Sequence, residues 1–292
     1  MKNLSILIPT YNDACAKLVD TLRQQAEALD ISYEIIVADD GSTNAEVVRS
    51  NRQINQWAHC RMDERPQNSG RASVRNYLAQ QAQYNWLLFI DSDMVVCNPD
   101  FLKRYVNTTA EVVDGGVVIG PVVKGNLRAL YEKANEQQHT VDRRCQTPYQ
   151  HFHTANFLVR RDIMLAHPFD LRFRRYGYED VLFGKALQQH LIPIEHIDNP
   201  LSFEIYEGNE AFVCKTEEGL RTLYEFRNEL QSHSRLLTIV SGLSPWIICA
   251  VRLFHRLFGR LERRHLTGSH PTLSVFSLYR LGYYLQLSAK GV

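Results

Sequence analysis

The sequence predicts an α/β domain with a mostly parallel central sheet flanked by helices, followed by a C-terminal helical extension. Three observations carry that expectation. Leu4–Ile8, Glu34–Ala38 and Trp86–Ile90 are short, largely apolar runs, the pattern of strands covered on both faces. Helix-period segments separate them, so successive strands have crossovers long enough to run parallel. Each run then stops at a polar cluster: Pro9-Thr10-Tyr11-Asn12, Asp39-Asp40-Gly41-Ser42 and Asp91-Ser92-Asp93. Strand carboxyl ends are where open α/β sheets bind ligands.

The elements follow in order. Pro9 has no N–H with which to continue a ladder, so the first strand turns there. Leu18, Leu22, Ala26 and Leu29 recur at helical spacing and predict a crossover helix over Ala14–Leu29. The Glu34–Ala38 strand completes a βαβ unit, whose crossover is right-handed. A second helix is expected over Asn44–Trp57. Polar Asp63–Gly70 leads to a third over Arg71–Ala82, with Val74, Leu78 and Ala82 on one side. Beyond Asp93 the pattern changes. Asn98-Pro99-Asp100 starts a helix with proline near its first position. A strand at Val117–Val123, a helix at Asn126–His139, a loop at Thr140–Gln150 and a strand at Ala155–Val159 follow. The last expected elements before the tail are a helix at Glu179–Gln189, a strand at Ile192–Ile197 and a helix at Phe212–Leu230.

Composition narrows the class. With 292 residues, 45% hydrophobic and 22% charged, the chain can bury one large core plus an appendage. Its net charge of +1 is unevenly spread. From Phe226 onward nine Lys/Arg face two Asp/Glu, a net of +7; the other 24 Lys/Arg and 30 Asp/Glu leave the rest at −6. Six scattered cysteines without a CxxC indicate neither a disulfide framework nor a zinc site, and a reducing compartment is the simpler expectation. No stretch reaches the roughly 18–20 apolar residues of a transmembrane helix, and Met1–Leu4 lacks the apolar core of a signal peptide.

The candidate chemistry is carried by carboxylates. Residues i and i+2 of an extended chain point the same way, so Asp91 and Asp93 converge past a strand end. Two hard oxygen ligands suit Mg²⁺ or Mn²⁺ and, through the metal, a diphosphate. The bland alternative is a turn, since Asp and Ser cap strands and helices routinely. Asp39 or Asp40 can accept a base N–H or hold a ribose hydroxyl, or cap the next helix with Ser42. Asn68-Ser69-Gly70-Arg71 opens a helix whose N–H groups suit a diphosphate. Arg71 and Arg75 share a helical face that is equally compatible with solvent. Tyr176-Gly177-Tyr178-Glu179-Asp180 sets aromatics beside two carboxylates, as a pocket would that stacks on a sugar and removes a hydroxyl proton. Acidic residues also favour helix N-termini. His151, His153 and His196 could be ligands, but lone histidines are more often structural, and none is assigned to a metal.

Together these residues resemble the family 2 glycosyltransferases of the GT-A fold, a Rossmann-like sheet flanked by helices. The matching motifs are Ile8-Pro9-Thr10-Tyr11-Asn12, Val37–Ser42, Asn68–Arg71, Asp91-Ser92-Asp93 and Tyr176–Asp180, in order through about residue 225. The resemblance implies an inverting, metal-dependent transferase using a nucleotide-sugar donor, a UDP-sugar by preference. Residues 1–98 would be the donor half and 99–231 the acceptor half. Thr10 and Asp40, with Asp39 as alternative, would hold the nucleoside beside Pro9, Tyr11, Asn12, Asn68, Gly70 and Ser92. Arg71 would lie near the base or phosphates. Asp93 would ligate Mn²⁺ or Mg²⁺, and Asp91 the metal or ribose. Asp180 would be the general base, with Gly177, Tyr178 and Glu179 on the acceptor side. In one departure, Asn199-Pro200 is not followed by the histidine that completes the metal shell in several relatives, which leaves Glu204, His196 or diphosphate and water. Two other classes compete. A nucleotidyltransferase would need a Gly-rich basic loop after the first strand, which Pro9–Asp13 is not; a saccharide-binding or membrane scaffold would have no use for Asp93 and Asp180.

Residues 232–292 read as a basic amphipathic tail. Behind Ser244-Pro245, Ile247, Val251, Phe254, Phe258 and Leu261 follow one face and Arg252, Arg256 and Arg260 another, with Arg263 and Arg264 beyond. Aromatics on an apolar face favour a membrane surface over nucleic acid; the competing reading is a helix packed on the domain. A second run, Leu273–Leu287, carries Phe276, Tyr279, Tyr283 and Tyr284. The resulting expectation is a cytoplasmic protein, peripheral on the cytoplasmic face of the inner membrane, with a lipid-linked saccharide acceptor in bacterial surface polysaccharide synthesis.

Overall fold

The computed structural model describes residues 1–231 and 233–290, so Ser232, Gly291 and Val292 of the expected tail lie outside the described residues. In chain order the elements are β1 (Asn3–Thr10), α1 (Ala16–Glu27), β2 (Ser32–Asp39), α2 (Ala45–Asn51), β3 (Cys60–Glu64), α3 (Arg71–Gln81), β4 (Trp86–Ile90), β5 (Met94–Val95), α4 (Phe101–Val106), β6 (Val112–Asp114), β7 (Val117–Ile119), α5 (Leu127–Asn135), α6 (Val141–Gln146), β8 (Asn156–Arg160), α7 (Arg161–Ala166), α8 (Glu179–Gln189), β9 (Glu195–His196) and β10 (Leu201–Phe203), then α9 (Asn209–Glu225), α10 (Arg227–Leu230), α11 (Arg235–Ser241), α12 (Pro245–Leu266) and α13 (Leu273–Lys290). They divide into two units. The first comprises Met1–Gly120, Glu136–Arg174 and Glu179–Ile205; the second holds Pro121–Asn135, Arg175–Tyr178 and the chain from Tyr206 onward.

The first unit is built on a seven-stranded sheet in the order β3-β2-β1-β4-β8-β6-β9. β3, β2, β1 and β4 are parallel, as the buried apolar runs predict; β8 runs antiparallel between β4 and β6. The chain lays β2 and β3 on one side of β1 and then returns to lay β4 on the other. That reversal opens a crevice between the ends of β1 and β4. On one face Leu7, Ile36, Leu87, Phe89 and Phe157 pack against Val74 and Leu78 of α3 and Phe183 and Leu187 of α8. Phe89 and Phe157 stack at 4.8 Å, as do Phe169 and Phe183 at 4.4 Å. A small sheet, β5-β10-β7, extends the unit beyond the strand ends.

Several expected elements take a different form. The segment Asn44–Trp57 is α2 followed by a 3₁₀ turn over Arg52–Gln56. β3 carries no apolar run because it is an edge strand in which Met62 alone is buried. The Ile192–Ile197 strand shortens to Glu195–His196, and Val117–Val123 to Val117–Ile119. The helix expected over Asn126–His139 ends at Asn135 and gives way to a 3₁₀ turn; that over Phe212–Leu230 starts earlier and breaks at Phe226.

Thr140–Gln150, expected to be a loop, contains α6, and its Arg144 explains the helix. This buried guanidinium donates to the backbone oxygens of Asp114, Ile197 and His139, and pairs with Asp114 Oδ1 at 3.2 Å. One charged side chain thus ties α6 to the ends of β6 and β9. His196 joins the same network. Its Nδ1 accepts from Arg144 and its Nε2 donates to the Pro148 carbonyl, while burial pushes the ring down to about 4. With both nitrogens used, His196 is not a spare metal ligand. Burial also pushes the Asp114 carboxyl up to about 6, against the pull of Arg144. Arg144→Met should therefore lower the unfolding free energy at pH 8 by about 3–5 kcal/mol, as expected when one member of a buried pair is removed. Because Asp114 can take up a proton at lower pH, the penalty should shrink at pH 5. Urea unfolding at the two pH values measures both, and an equal penalty at each would refute the role of Asp114.

The second unit is helical. Leu127, Phe212, Val213, Leu266, Phe276 and Tyr279 form its core, packing α5 and α9 with the end of α12 and with α13. Asn209 donates to the carbonyls of Gly125 and Gly268, and accepts from the Leu127 N–H, fixing both turns to the start of α9.

Candidate active site

The ends of β1 and β2 are woven together by side chains. Asn12, in the left-handed region at φ 58°, accepts from the N–H groups of Thr43 and Asn44, and its own N–H donates to Ser42 Oγ. Asp39 Oδ1 accepts from the Ser42 N–H and hydroxyl, leaving Oδ2 without a hydrogen bond among the described residues. Asp40 is more heavily used. Oδ2 accepts from the N–H groups of Ser69 and Gly70, while Oδ1 takes the Ser69 hydroxyl and Arg65. Asp40 thus pins the loop that opens α3. Gly41, at φ 73°, lies so close to Gln67 that a Cβ would sit 2.5 Å from its backbone carbon. Gly70, at φ 90°, caps α3 where a Cβ would meet the Arg174 carbonyl at 2.9 Å. Thr10 is buried and its hydroxyl donates to the Asp13 carbonyl, whereas Tyr11 and Asn68 are exposed.

Past β4 the carboxylates gather. Ser92 Oγ donates to Asp13 Oδ2, so a third acidic residue joins Asp91 and Asp93. Burial, then the charges of Asp91 and Asp13, push the Asp93 carboxyl up to about 6, opposed by Arg71. Arg75, only 1% exposed, lies at the centre. Its Nη2 pairs with Asp91 Oδ1 at 2.6 Å and its Nη1 with Glu179 Oε1 at 3.4 Å, and its guanidinium lies 5.7 Å from the Phe169 ring centre. Glu179 is accordingly buried at the first turn of α8. Asp180, half-buried beside it, is pushed up to about 7 by burial and by the Glu179 charge, against the Val181 N–H, Arg75 and Arg71.

The structure therefore brings together Pro9, Thr10, Asn12, Asp39, Asp40, Gly70, Arg71, Asp91, Ser92, Asp93, Glu179 and Asp180 within the first unit. Gly177 and Tyr178 belong to the second, with φ values of 96° and 70° in the segment that leads into α8. Positive φ at a tyrosine is a strained geometry of the kind found at functional sites. Sequence reasoning missed two members of the site, Asp13 and the bridging role of Arg75. The available signal for Arg75 was its place one turn after Arg71 on a helix aimed at the strand ends.

The donor set fits a hard divalent cation. Asp93 and Asp91 would supply carboxylate oxygens, and the crowding that raises Asp93 is what a cation would relieve. Among the described residues no group of three His, Cys, Asp or Glu has ligand geometry, so substrate oxygens and water would complete the shell. Glu204 accepts from Ser202 instead.

A family model described as glycosyl transferase family 2 matches residues 5–166, more than half of the chain. The chain belongs to this glycosyltransferase family. The match takes in the ends of β1, β2 and β4 and the start of α3. Chondroitin synthase of Escherichia coli is 28% identical over 240 residues, covering 68% of this chain and 34% of the synthase, so the chain spans about a third of that relative. The architecture matches solved GT-A glycosyltransferases. The mannosyltransferase PcManGT from Pyrobaculum calidifontis, in complex with GDP-Man and Mn²⁺, superposes with a TM-score of 0.54 at 14% identity, over 98% of this chain and 86% of that one. TarS residues 1–349 from S. aureus, in complex with UDP-GlcNAc, gives 0.51 at 17% identity, over 100% and 92%.

Arg75→Lys keeps a cation but loses the planar fork that spans two carboxylates. It should leave the near-UV circular dichroism unchanged and lower transfer about 10–100-fold, the usual scale for residues that orient ligands from behind. Wild-type transfer by this variant would show that the bridge is dispensable.

Proposed function

We propose that this glycosyltransferase moves a sugar from a nucleoside-diphosphate donor, a UDP-sugar, to a saccharide hydroxyl with inversion at the anomeric carbon. The observation that carries the reading is the pairing of two carboxylate groups from distant parts of the chain through Arg75: Asp91 beside Asp93, and Glu179 beside Asp180. The first pair suits a donor diphosphate, the second an acceptor hydroxyl. Residues 1–98 would supply the donor side and 99–231 most of the acceptor side.

Each group has a distinct task. Asp39 Oδ2 is the unused oxygen at the β2 end, which favours Asp39 over Asp40 for the nucleoside; Asp40 would act by holding the Asn68–Gly70 loop. Thr10, Tyr11 and Asn12 border the same crevice, with Tyr11 exposed for stacking on the base. Arg71 offers positive charge to the phosphates. A divalent cation, Mn²⁺ or Mg²⁺, held by Asp93 and Asp91 would neutralise charge on the departing diphosphate. As the acceptor oxygen attacks the anomeric carbon, the bond from that carbon to the diphosphate oxygen breaks. The hydroxyl proton passes to Asp180, whose elevated basicity suits the task. Gly177 and Tyr178 would shape the acceptor side. We take the acceptor to be a lipid-linked saccharide of a bacterial surface polysaccharide, a reading supported by the likeness to a chondroitin synthase and by the tail considered below.

A screen of nucleotide sugars for released nucleoside diphosphate tests the donor. Release from a UDP-sugar with Mn²⁺, abolished by EDTA, is the expected result; no nucleotide binding with or without Mn²⁺ would end the reading. Asp180→Asn should bind donor normally yet transfer about 10²–10⁴-fold more slowly. In the unmodified protein kcat/KM should rise with pH through a limb near 7, because the base must first lose its proton. Normal transfer by Asp180→Asn, or a profile flat from pH 5 to 8, would remove Asp180 from that role.

A further inference from the structure

α12 is 22 residues long, about 33 Å, and its side chains sort into three rows. The first is packed. His255, Glu262 and Leu266 are buried, with the His255 ring against Tyr279 and Tyr283 of α13. His255 Nδ1 meets Glu262 Oε2 at 2.7 Å. Glu262 is the one carboxylate from Arg235 to Lys290, and it faces inward. The second row is basic. Arg252 donates to the Leu285 carbonyl and Ser288, and Arg263 pairs with Glu210 and Glu217. Arg256 and Arg260 are exposed and make no ion pair among the described residues. The third row is apolar and exposed: Trp246, Leu253, Phe254, Leu257, Phe258 and Leu261, with Trp246 at 71%, Leu257 at 64% and Leu261 at 61%. This selection differs from the sequence expectation, because Ile247 and Val251 are half-buried while Leu253 and Leu257 face out.

Six large apolar side chains in one line, about 22 Å long from Trp246 to Leu261, exceed a scatter of surface hydrophobics. We propose that this face of α12 docks in the plane of an anionic lipid surface, with the Trp246–Leu261 row in the apolar boundary and Arg256 and Arg260 at the headgroup phosphates. Charge selects this occupant. The exposed edge is positive, and the only nearby carboxylate of the three tail helices has been taken inside. A second copy docked by two-fold symmetry would apply the same positive edge to itself. Among the described residues no single helix is long and apolar enough to cross a membrane; α11 and α12 reach that length and apolarity only as a pair bent by 119°, and the exposed basic edge beside the apolar row favours the surface over a span. Trp246 suits the boundary, where an indole has both apolar and hydrogen-bonding surroundings.

Sedimentation of the full chain with phosphatidylcholine vesicles, with and without phosphatidylglycerol, tests the proposal. Binding should be strong only to the anionic vesicles. Arg256→Gln and Arg260→Gln should each weaken it about fivefold there, and Leu257→Glu with Leu261→Glu should abolish it. Since all four positions are exposed, the unfolding midpoint and soluble-donor hydrolysis should not change, which separates docking from the proposed chemistry. Equal binding to neutral vesicles, or binding that survives the double glutamate variant, would overturn it. So would glutamate variants that split a stable dimer without altering vesicle affinity, or a protein that resists carbonate extraction as a spanning segment does.

Discussion

Arg75 brings a permanent positive charge into the interior, where an unpaired charge is costly, and that constraint organises the site around it. A guanidinium cannot lose its proton at any accessible pH, and its planar fork can serve two carboxylates at once. Here the two come from the end of β4 and the start of α8. The acidic residues consequently fall into two kinds. Asp91 and Glu179 are ion-paired and fixed. For Asp93 and Asp180, close by them in the chain, burial and like charge outweigh the pull of Arg71, and they are driven up to about 6 and about 7. One cation thus fixes Asp91 by one oxygen and Glu179 by another, and leaves Asp93 and Asp180 with raised affinity for a proton.

The donor side rests on a different economy. Its polar strand ends are mutually satisfied before any ligand is present: Asn12 and Asp39 close the β2 turn, and Asp40 closes the loop before α3. Backbone N–H groups outside ladders and helices still need partners, and here side chains supply them. What remains unspent is therefore informative. Asp39 Oδ2 carries no hydrogen bond among the described residues and Tyr11 is exposed, whereas both oxygens of Asp40 are used, although the sequence presents Asp39 and Asp40 as near equivalents.

Legibility followed from how strongly each feature depends on local pattern. β1, β2 and β4 were readable because strands covered on both faces must be almost wholly apolar. The edge strand β3, with Arg61, Asp63 and Glu64, carries no such mark. α6 was hidden because what makes it necessary is one arginine reaching β6 and β9, a contact no periodicity encodes. The same holds for Arg75, which on a helical wheel resembles any solvated arginine, and for Asp13, which resembles any turn residue. Asp93 and Asp180 were readable only as members of an ordered motif set. In the tail, amphipathicity was plain, but which apolar residues face outward was not, since packed and exposed apolar rows look alike in sequence.

Internal ion pairs or hydrogen-bonded charges recur among the described residues, and the consequences of three of them differ with what surrounds each. Arg144 with Asp114 is ringed by backbone carbonyls and locks strand ends, so it contributes order and no obvious reactivity. Arg75 is ringed by further carboxylates, so satisfying two of them leaves others raised and available for chemistry. His255 with Glu262 lies under a helix whose outer face is apolar and basic. Turning Glu262 inward takes the one carboxylate of α11, α12 and α13 off the face that would meet an anionic surface. The same elementary pairing therefore yields a brace, a reactive centre and a cleared surface, and the neighbours of each pair, rather than the pair itself, decide which.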